Sequence, residues 1–182
     1  MKDKVVIITG ASSGIGKSCA FEFSKLGAKL VLVARTEKTL KDISIKINQN
    51  GGNSIISVTN VSIELECEKM IKETISKYGK IDILINNAGI SMRSVFLNLN
   101  LSVFKKVMGV NFWGSVYCTK YALPFLLKSN GSIVGVSSIA GYKGLPGRTA
   151  YSASKFALQG FLESLRLENL KNKLHVLIIC PG

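Results

Sequence analysis

Tyr151 and Lys155 stand four residues apart at the start of an apolar-periodic segment carrying Phe156, Leu158, Phe161, Leu162, Leu165 and Leu167. A helix beginning near Tyr151 puts both on one face, the lysine ammonium beside the phenol. A free phenol has a pKa of about 10, a poor match for proton transfer at neutral pH. A cation at ~4 Å, in an effective dielectric near 20, favours the phenolate by about 4 kcal/mol, and desolvation reduces that figure. Such a pair can exchange a proton with a carbonyl or alcohol oxygen. The spacing alone does not establish the chemistry, because a lysine-rich chain with five tyrosines yields such a pair readily by chance.

Other stretches carry chemistry of a related kind. Thr9-Gly10-Ala-Ser-Ser-Gly14-Ile-Gly16 sits where an apolar run passes into a helical pattern. There Gly10, Ser12, Ser13, Gly14, Ile15 and Gly16 can bring backbone N–H groups and a helix N-terminus to a pyrophosphate. Residues 11–18 also nearly match the loop Gly-x4-Gly-Lys-Ser of nucleotide triphosphatases, with Ala11 at the first glycine. That rival needs an apolar strand ending in an aspartate to hold magnesium, whereas these runs end in Asn86-Asn87 and Ser137-Ser138. After the second run comes Ala34-Arg35-Thr36, with no carboxylate before Glu37. An arginine there accommodates a 2′-phosphate, so NADP(H) is the expected cofactor and NAD(H) the second choice. Asn86-Asn87-Ala88-Gly89 follows the fourth run and suits close cofactor contact and bracing of the sheet. Ser138 is expected at the end of the fifth strand, where its hydroxyl can bond a substrate oxygen beside Tyr151, while strand alternation turns Ser137 away.

The elements that must position these residues follow one pattern. Short apolar runs (5–8, 30–33, 55–58, 81–85, 133–136 and 176–179) alternate with helical segments, including one over 64–78 ending at Gly79 and one over about 102–127. Pro124 is expected to kink that second helix or end its regular part. Alternation of this kind predicts a parallel sheet covered on both faces, an α/β Rossmann-type doubly wound fold in a single domain over residues 1–182. The length of 182 residues, 47% of them hydrophobic, supports a real core. The net charge of +13 is scattered over helix faces, without basic runs or interleaved aromatics, so no nucleic-acid partner is expected. No apolar run approaches the ~20 residues of a membrane span, and no charged-then-apolar leader opens the sequence, so no membrane association is expected. Cys19, Cys67, Cys118 and Cys180 lack disulfide or zinc spacing and read as reduced thiols of a cytoplasmic protein. His175, the single histidine, is expected to be structural.

Thr9-Gly10-x3-Gly14-x-Gly16, Asn86-Asn87-Ala88-Gly89, Asn111, Ser138, Tyr151-x3-Lys155 and Pro181-Gly182 occur in the order of the short-chain dehydrogenase/reductase family, which the chain resembles along its whole length. The resemblance implies hydride transfer between a nicotinamide and a carbonyl or alcohol substrate. In it Tyr151 is general acid and base, Ser138 steadies the substrate oxygen, and Lys155 holds the nicotinamide ribose. Asn111 accompanies a break in helical bonding whose freed carbonyl holds a water leading to the lysine. Asn60-Val61 stands where the family has Asp-Val against the adenine; asparagine keeps an acceptor oxygen, so that contact is expected to survive. Pro181 and Gly182 are counted among the cofactor neighbours. Members commonly continue past this point through a substrate-covering loop and helix to a seventh strand, so the chain reads as truncated after Pro181-Gly182. A nucleotide-binding protein with little or no catalysis is therefore the alternative. Dimers or tetramers through the helices of Asn111 and Tyr151 are compatible. Ser91-Met92-Arg93 and residues 139–147 are expected to border the substrate pocket, and nothing in them selects one carbonyl compound.

Overall fold

The computed structural model describes residues 1–181. The apolar runs form β1 (Val5–Thr9), β2 (Lys29–Ala34), β3 (Asn53–Val58), β4 (Ile83–Asn86), β5 (Ser132–Val136) and β6 (His175–Ile179). Every pairing is parallel, and the strands lie in the order β3-β2-β1-β4-β5-β6. The order reverses between β1 and β4. In such sheets the crevice beyond the strands' carboxyl ends at the reversal is where a ligand fits.

Alternation along the strands divides the core between two layers. Val6, Ile8, Leu30 and Leu32 pack with Leu40, Ile43 and Ile47 under α1 (Gly14–Lys25) and α2 (Glu37–Gln49). Ile7, Val31, Leu84 and Ile133 point the other way. They meet Met70, Leu126, Leu158 and Leu162 from α3 (Glu64–Tyr78), α5 (Gly114–Lys128) and α6 (Thr149–Glu168). Each such fully buried aliphatic side chain contributes about 1.5–3 kcal/mol, which makes the sheet a rigid floor for the loops at its edge.

Several expected boundaries moved, two of them for a visible reason. The fourth strand begins at Ile83, not 81, because Asp82 spends its side chain at the strand's entrance. Its carboxylate accepts from Val5 N at 2.9 Å, Lys4 Nζ at 2.8 Å and Lys80 Nζ at 2.9 Å. The long helix near 102–127 is α4 (Leu101–Met108), a π-helical turn over Gly109–Trp113, and α5. Pro124 does not end it; α5 runs through the proline to Lys128. Gly79 closes α3 in the left-handed conformation at φ +73°, as the glycine stop predicts. No helix among the described residues is long and apolar enough to cross a membrane.

Candidate active site

The glycine loop is held over the end of β4 by a small polar junction. Thr9 Oγ1 donates to Ile85 O (3.2 Å) and accepts from the backbone N–H groups of Asn87 and Ala88, both at 3.0 Å. Asn87 Nδ2 donates to Thr9 O at 2.9 Å and to Gly10 O at 3.3 Å, so this amide braces β1 against β4. Gly10 has φ +67°, and a Cβ there would lie 2.9 Å from Ala88 Cα. A Cβ at Gly16 would collide with the Gly10 carbonyl oxygen. The junction therefore excludes side chains at both positions and leaves backbone lining the crevice. Ser13 caps α1 without a side-chain hydrogen bond, so the first-turn N–H groups are left to an outside acceptor.

One cleft runs from this loop along the strand ends, bordered by Gly10, Ser12, Ser13, Ile15, Arg35, Thr36, Asn60, Val61 and Asn87 to Gly89. Among the described residues no carboxylate lines it. Gly14, expected in the cradle, opens α1 at φ +51° without bordering the cleft. Lys17 and Ser18, the residues a triphosphatase loop would aim at its phosphates, are exposed and lie outside the cleft. Asn60 differs from expectation in one respect. Its Oδ1, expected to serve a ligand, already accepts from Ser62 N at 3.2 Å and Ser62 Oγ at 2.8 Å, because the side chain turns back on its own chain.

Beyond Asn87 and Gly89 the cleft continues into an opening lined by Ser91, Val136 to Ser138, Tyr151, Lys155 and Pro181. Gly182 lies outside the described residues. Lys155 is buried, with Nζ 5.7 Å from the Tyr151 ring centroid and donating to Val136 O at 2.7 Å. The spacing on α6 thus brings the pair together in the cleft rather than on the surface. Burial pulls the Lys155 pKa down to about 8, outweighing the opposing effect of Cys180. The Arg148 guanidinium lies 5.9 Å from the same ring centroid and bonds Ser91 Oγ.

Ser138 stands two residues past the end of β5, not on it, and caps a short turn by accepting from Ala140 N at 3.2 Å. That bond uses a lone pair and leaves the hydroxyl proton for the cleft. Ser137 is tied elsewhere, accepting from Gln159 Nε2 at 3.0 Å. Asn111 sits in the π-helical turn, fully buried. Its Oδ1 accepts from Ile90 N at 2.8 Å, and its Nδ2 donates to Ile90 O and Ser154 Oγ, each at 3.0 Å. The expected break in helical bonding is present. Its side chain pins the loop after β4 to α6, so a Cβ on Gly89 would lie 3.5 Å from Asn111 Oδ1 and 3.8 Å from Lys155 Nζ.

Sequence reasoning missed Gln159, Ser154, Thr9 as a junction and Arg148. Gln159 follows Lys155 by one helical turn, a signal that was available; Arg148 precedes the helix and carries none. Cys67 and Cys118, unrelated by sequence spacing, bring their sulfurs to 3.7 Å between α3 and α5 as free thiols.

Residues 4–182 match the family model described as short chain dehydrogenase. The chain is 42% identical over 181 residues to 11-beta-hydroxysteroid dehydrogenase 1A of Arabidopsis thaliana, covering 98% of this chain and 52% of that protein. It is 44% identical over 184 residues to 11-beta-hydroxysteroid dehydrogenase B of Sesamum indicum, covering 100% of this chain and 51% of that one. The chain thus spans about half the length of these curated relatives. Among solved structures, an alcohol dehydrogenase from the archaeon Thermococcus sibiricus, complexed with 5-hydroxy-NADP, superposes with a TM-score of 0.96 at 26% identity, over 100% of this chain and 77% of that one. A metagenomic short-chain oxidoreductase in complex with NADP gives 0.95 at 27% identity, over 100% and 83%.

Proposed function

The chain belongs to the short-chain dehydrogenase family, and from that premise we propose that it is a cytoplasmic NADP(H)-dependent oxidoreductase acting on a carbonyl or alcohol group, with Tyr151 as its general acid and base. The observation that carries this reading is the buried Lys155 ammonium against the Tyr151 ring, at the far end of a carboxylate-free cleft that begins at the glycine loop. The two NADP-type complexes among the structural relatives support the cofactor, and the free thiols suit a reducing compartment.

The residues fit a dinucleotide phosphate. The excluded side chains at Gly10 and Gly16 and the open N-terminus of α1 suit the pyrophosphate, with Ser12, Ser13, Gly14 and Ile15 around it. Arg35 and Thr36 would meet the 2′-phosphate, Asn60 and Val61 the base, and Asn87, Ala88 and Gly89 the floor between the two halves. When bound, the nicotinamide supplies or takes up the hydride.

The chain's own groups manage the proton. In reduction Tyr151 Oη gives its proton to the substrate oxygen, and in oxidation it takes one back. Ser138 donates its hydroxyl proton as a hydrogen bond to the same oxygen as charge develops there. The Lys155 ammonium, fixed by Val136 O, steadies the charge left on Oη and lies where a nicotinamide ribose would be held. Asn111 holds Gly89 and Ile90 in place and, through the opened helical turn, provides a route by which water restores the proton. The exposed faces around Trp113 and Phe156 suit a homodimer or homotetramer built through the helical stretch that contains Asn111 and through α6, which contains Tyr151.

Titration with NADPH and NADH, followed by a panel of carbonyl compounds including ketosteroids, tests the reading. Tighter binding of NADPH and its oxidation by a panel member are expected. Tighter binding of NADH would overturn the cofactor assignment, and binding without turnover would favour a nucleotide-binding protein with little catalysis.

A further inference from the structure

α6 sets Tyr151, Lys155 and Gln159 on one stripe, each a helical turn from the next. The last two of them bond successive residues where the chain leaves β5. Lys155 Nζ donates to Val136 O at 2.7 Å, and Gln159 Nε2 donates to Ser137 Oγ at 3.0 Å. Ser138 comes next in the chain and borders the same opening as Tyr151. Gln159 and Ser137 are 8% and 4% exposed, so little water competes for the bond between them. The amide also seats the far side of the turn that Ser138 opens. That turn closes with Gly141 N donating to Ser138 O at 2.9 Å. A Cβ on Gly141 would collide with Gln159 Nε2 and lie 2.7 Å from Ser137 Oγ. Ser138 is therefore flanked by Ser137 and Gly141, and both rest on one amide. The same Nε2 donates to Cys180 Sγ at 3.5 Å, beside Pro181, which borders the opening too.

Gln159 is not among the residues that border the opening, so it acts on the reaction only through what it holds. We propose that Gln159 is a positioning residue for carbonyl reduction. By holding Ser137 and Gly141 to α6 it keeps the Ser138 hydroxyl in register with Tyr151 Oη, so that both reach one substrate oxygen. A hydrogen bond that strengthens as charge develops depends on where its donor stands, and a displacement of about 1 Å costs up to about a hundredfold in rate. Methionine at position 159 has nearly the same length and offers no N–H, which releases the turn without opening a cavity. This rests on reading the cleft as the site of carbonyl reduction.

Steady-state kinetics with NADPH and a panel of carbonyl compounds test it as a double-mutant cycle on positions 159 and 138. Gln159→Met should lower kcat about tenfold, with KM for the carbonyl compound and NADPH affinity within about twofold of wild type. Ser137→Ala removes the acceptor instead of the donor and should lower kcat to a similar extent, which decides the matter where Gln159→Met fails to fold. In a Ser138→Ala background Gln159→Met should change kcat by less than about twofold, because the hydroxyl it positions is gone. Wild-type kcat in either single variant, or a fall on Gln159→Met that persists undiminished in the Ser138→Ala background, overturns the inference and leaves the site standing. Absence of carbonyl reduction by wild type overturns the reading of the site, and the inference with it.

Discussion

Lys155 is a charge kept where charge is expensive. It is buried, its one recorded bond is to a carbonyl, and burial has brought its pKa to about 8 from an ordinary 10.5. Holding it protonated at pH 7 costs on the order of 3 kcal/mol by that shift. The sign of the pH dependence follows. Below about pH 8 folded and unfolded chains both carry the proton and the cost is fully present; between about 8 and 10.5 the unfolded chain binds more protons, so stability rises with pH. Lys155→Met should therefore raise the melting temperature at pH 7 while removing carbonyl reduction, and NMR of labelled lysine should show Nζ titrating near pH 8. A variant that is less stable and still active would contradict both halves. At this scale the sequence was legible wherever spacing on one helix decided contact, as for Tyr151 and Lys155. It was less so for Asn60, whose amide orientation depends on a turn back to Ser62; the Asn-Val-Ser order allowed that turn without requiring it.

At the scale of elements, two polar side chains hold the strand ends in register. Asp82 joins the entrance of β4 to β1. Burial alone would raise its pKa, but hydrogen bonds from Lys4, Val5 and Lys80 outweigh that and hold the carboxyl below its ordinary 3.8. Its folded pKa is depressed, so its contribution is present above the ordinary carboxylate value and is lost as pH falls through the folded one. Asp82→Asn should cost about 1–3 kcal/mol in urea unfolding at pH 7, a difference that narrows in acid. An unchanged midpoint would show that β1 and β4 need no such clasp. Asn111 does the equivalent work between the π-helical turn and the loop after β4, and Asn111→Ala should weaken cofactor binding as well as stability. The stop of α3 at Gly79 was readable because a left-handed glycine is a local signal. The π-helical turn was not readable from spacing, since an i→i+5 bond leaves no mark in the apolar pattern; only the family resemblance pointed to a break at Asn111.

At the scale of the molecule, the sheet's two faces are unequally covered. Register pairs Leu177 with Val134 and Ile179 with Val136, which puts both β6 side chains on the α1 and α2 face. Those helices lie over the other end of the sheet, and Leu177 and Ile179 remain 54% and 43% exposed. Leu177→Thr with Ile179→Thr should lower binding of an apolar dye without changing NADPH affinity. Dye binding equal to wild type would show that this face is not the exposed apolar surface of the protein in solution. Strand order and layering were legible because alternating strands and helices with right-handed crossovers leave few arrangements. The approach of Cys67 to Cys118 was not, because it arises only when α3 packs on α5.

All three scales converge on the Tyr151 proton, and Tyr151→Phe, which keeps the ring and removes the hydroxyl, tests it most directly. With a carbonyl substrate that wild type reduces, single-turnover oxidation of bound NADPH should slow by about 10²–10⁴-fold, with NADPH affinity within about twofold of wild type. A variant that retains most of the wild-type rate would contradict the account.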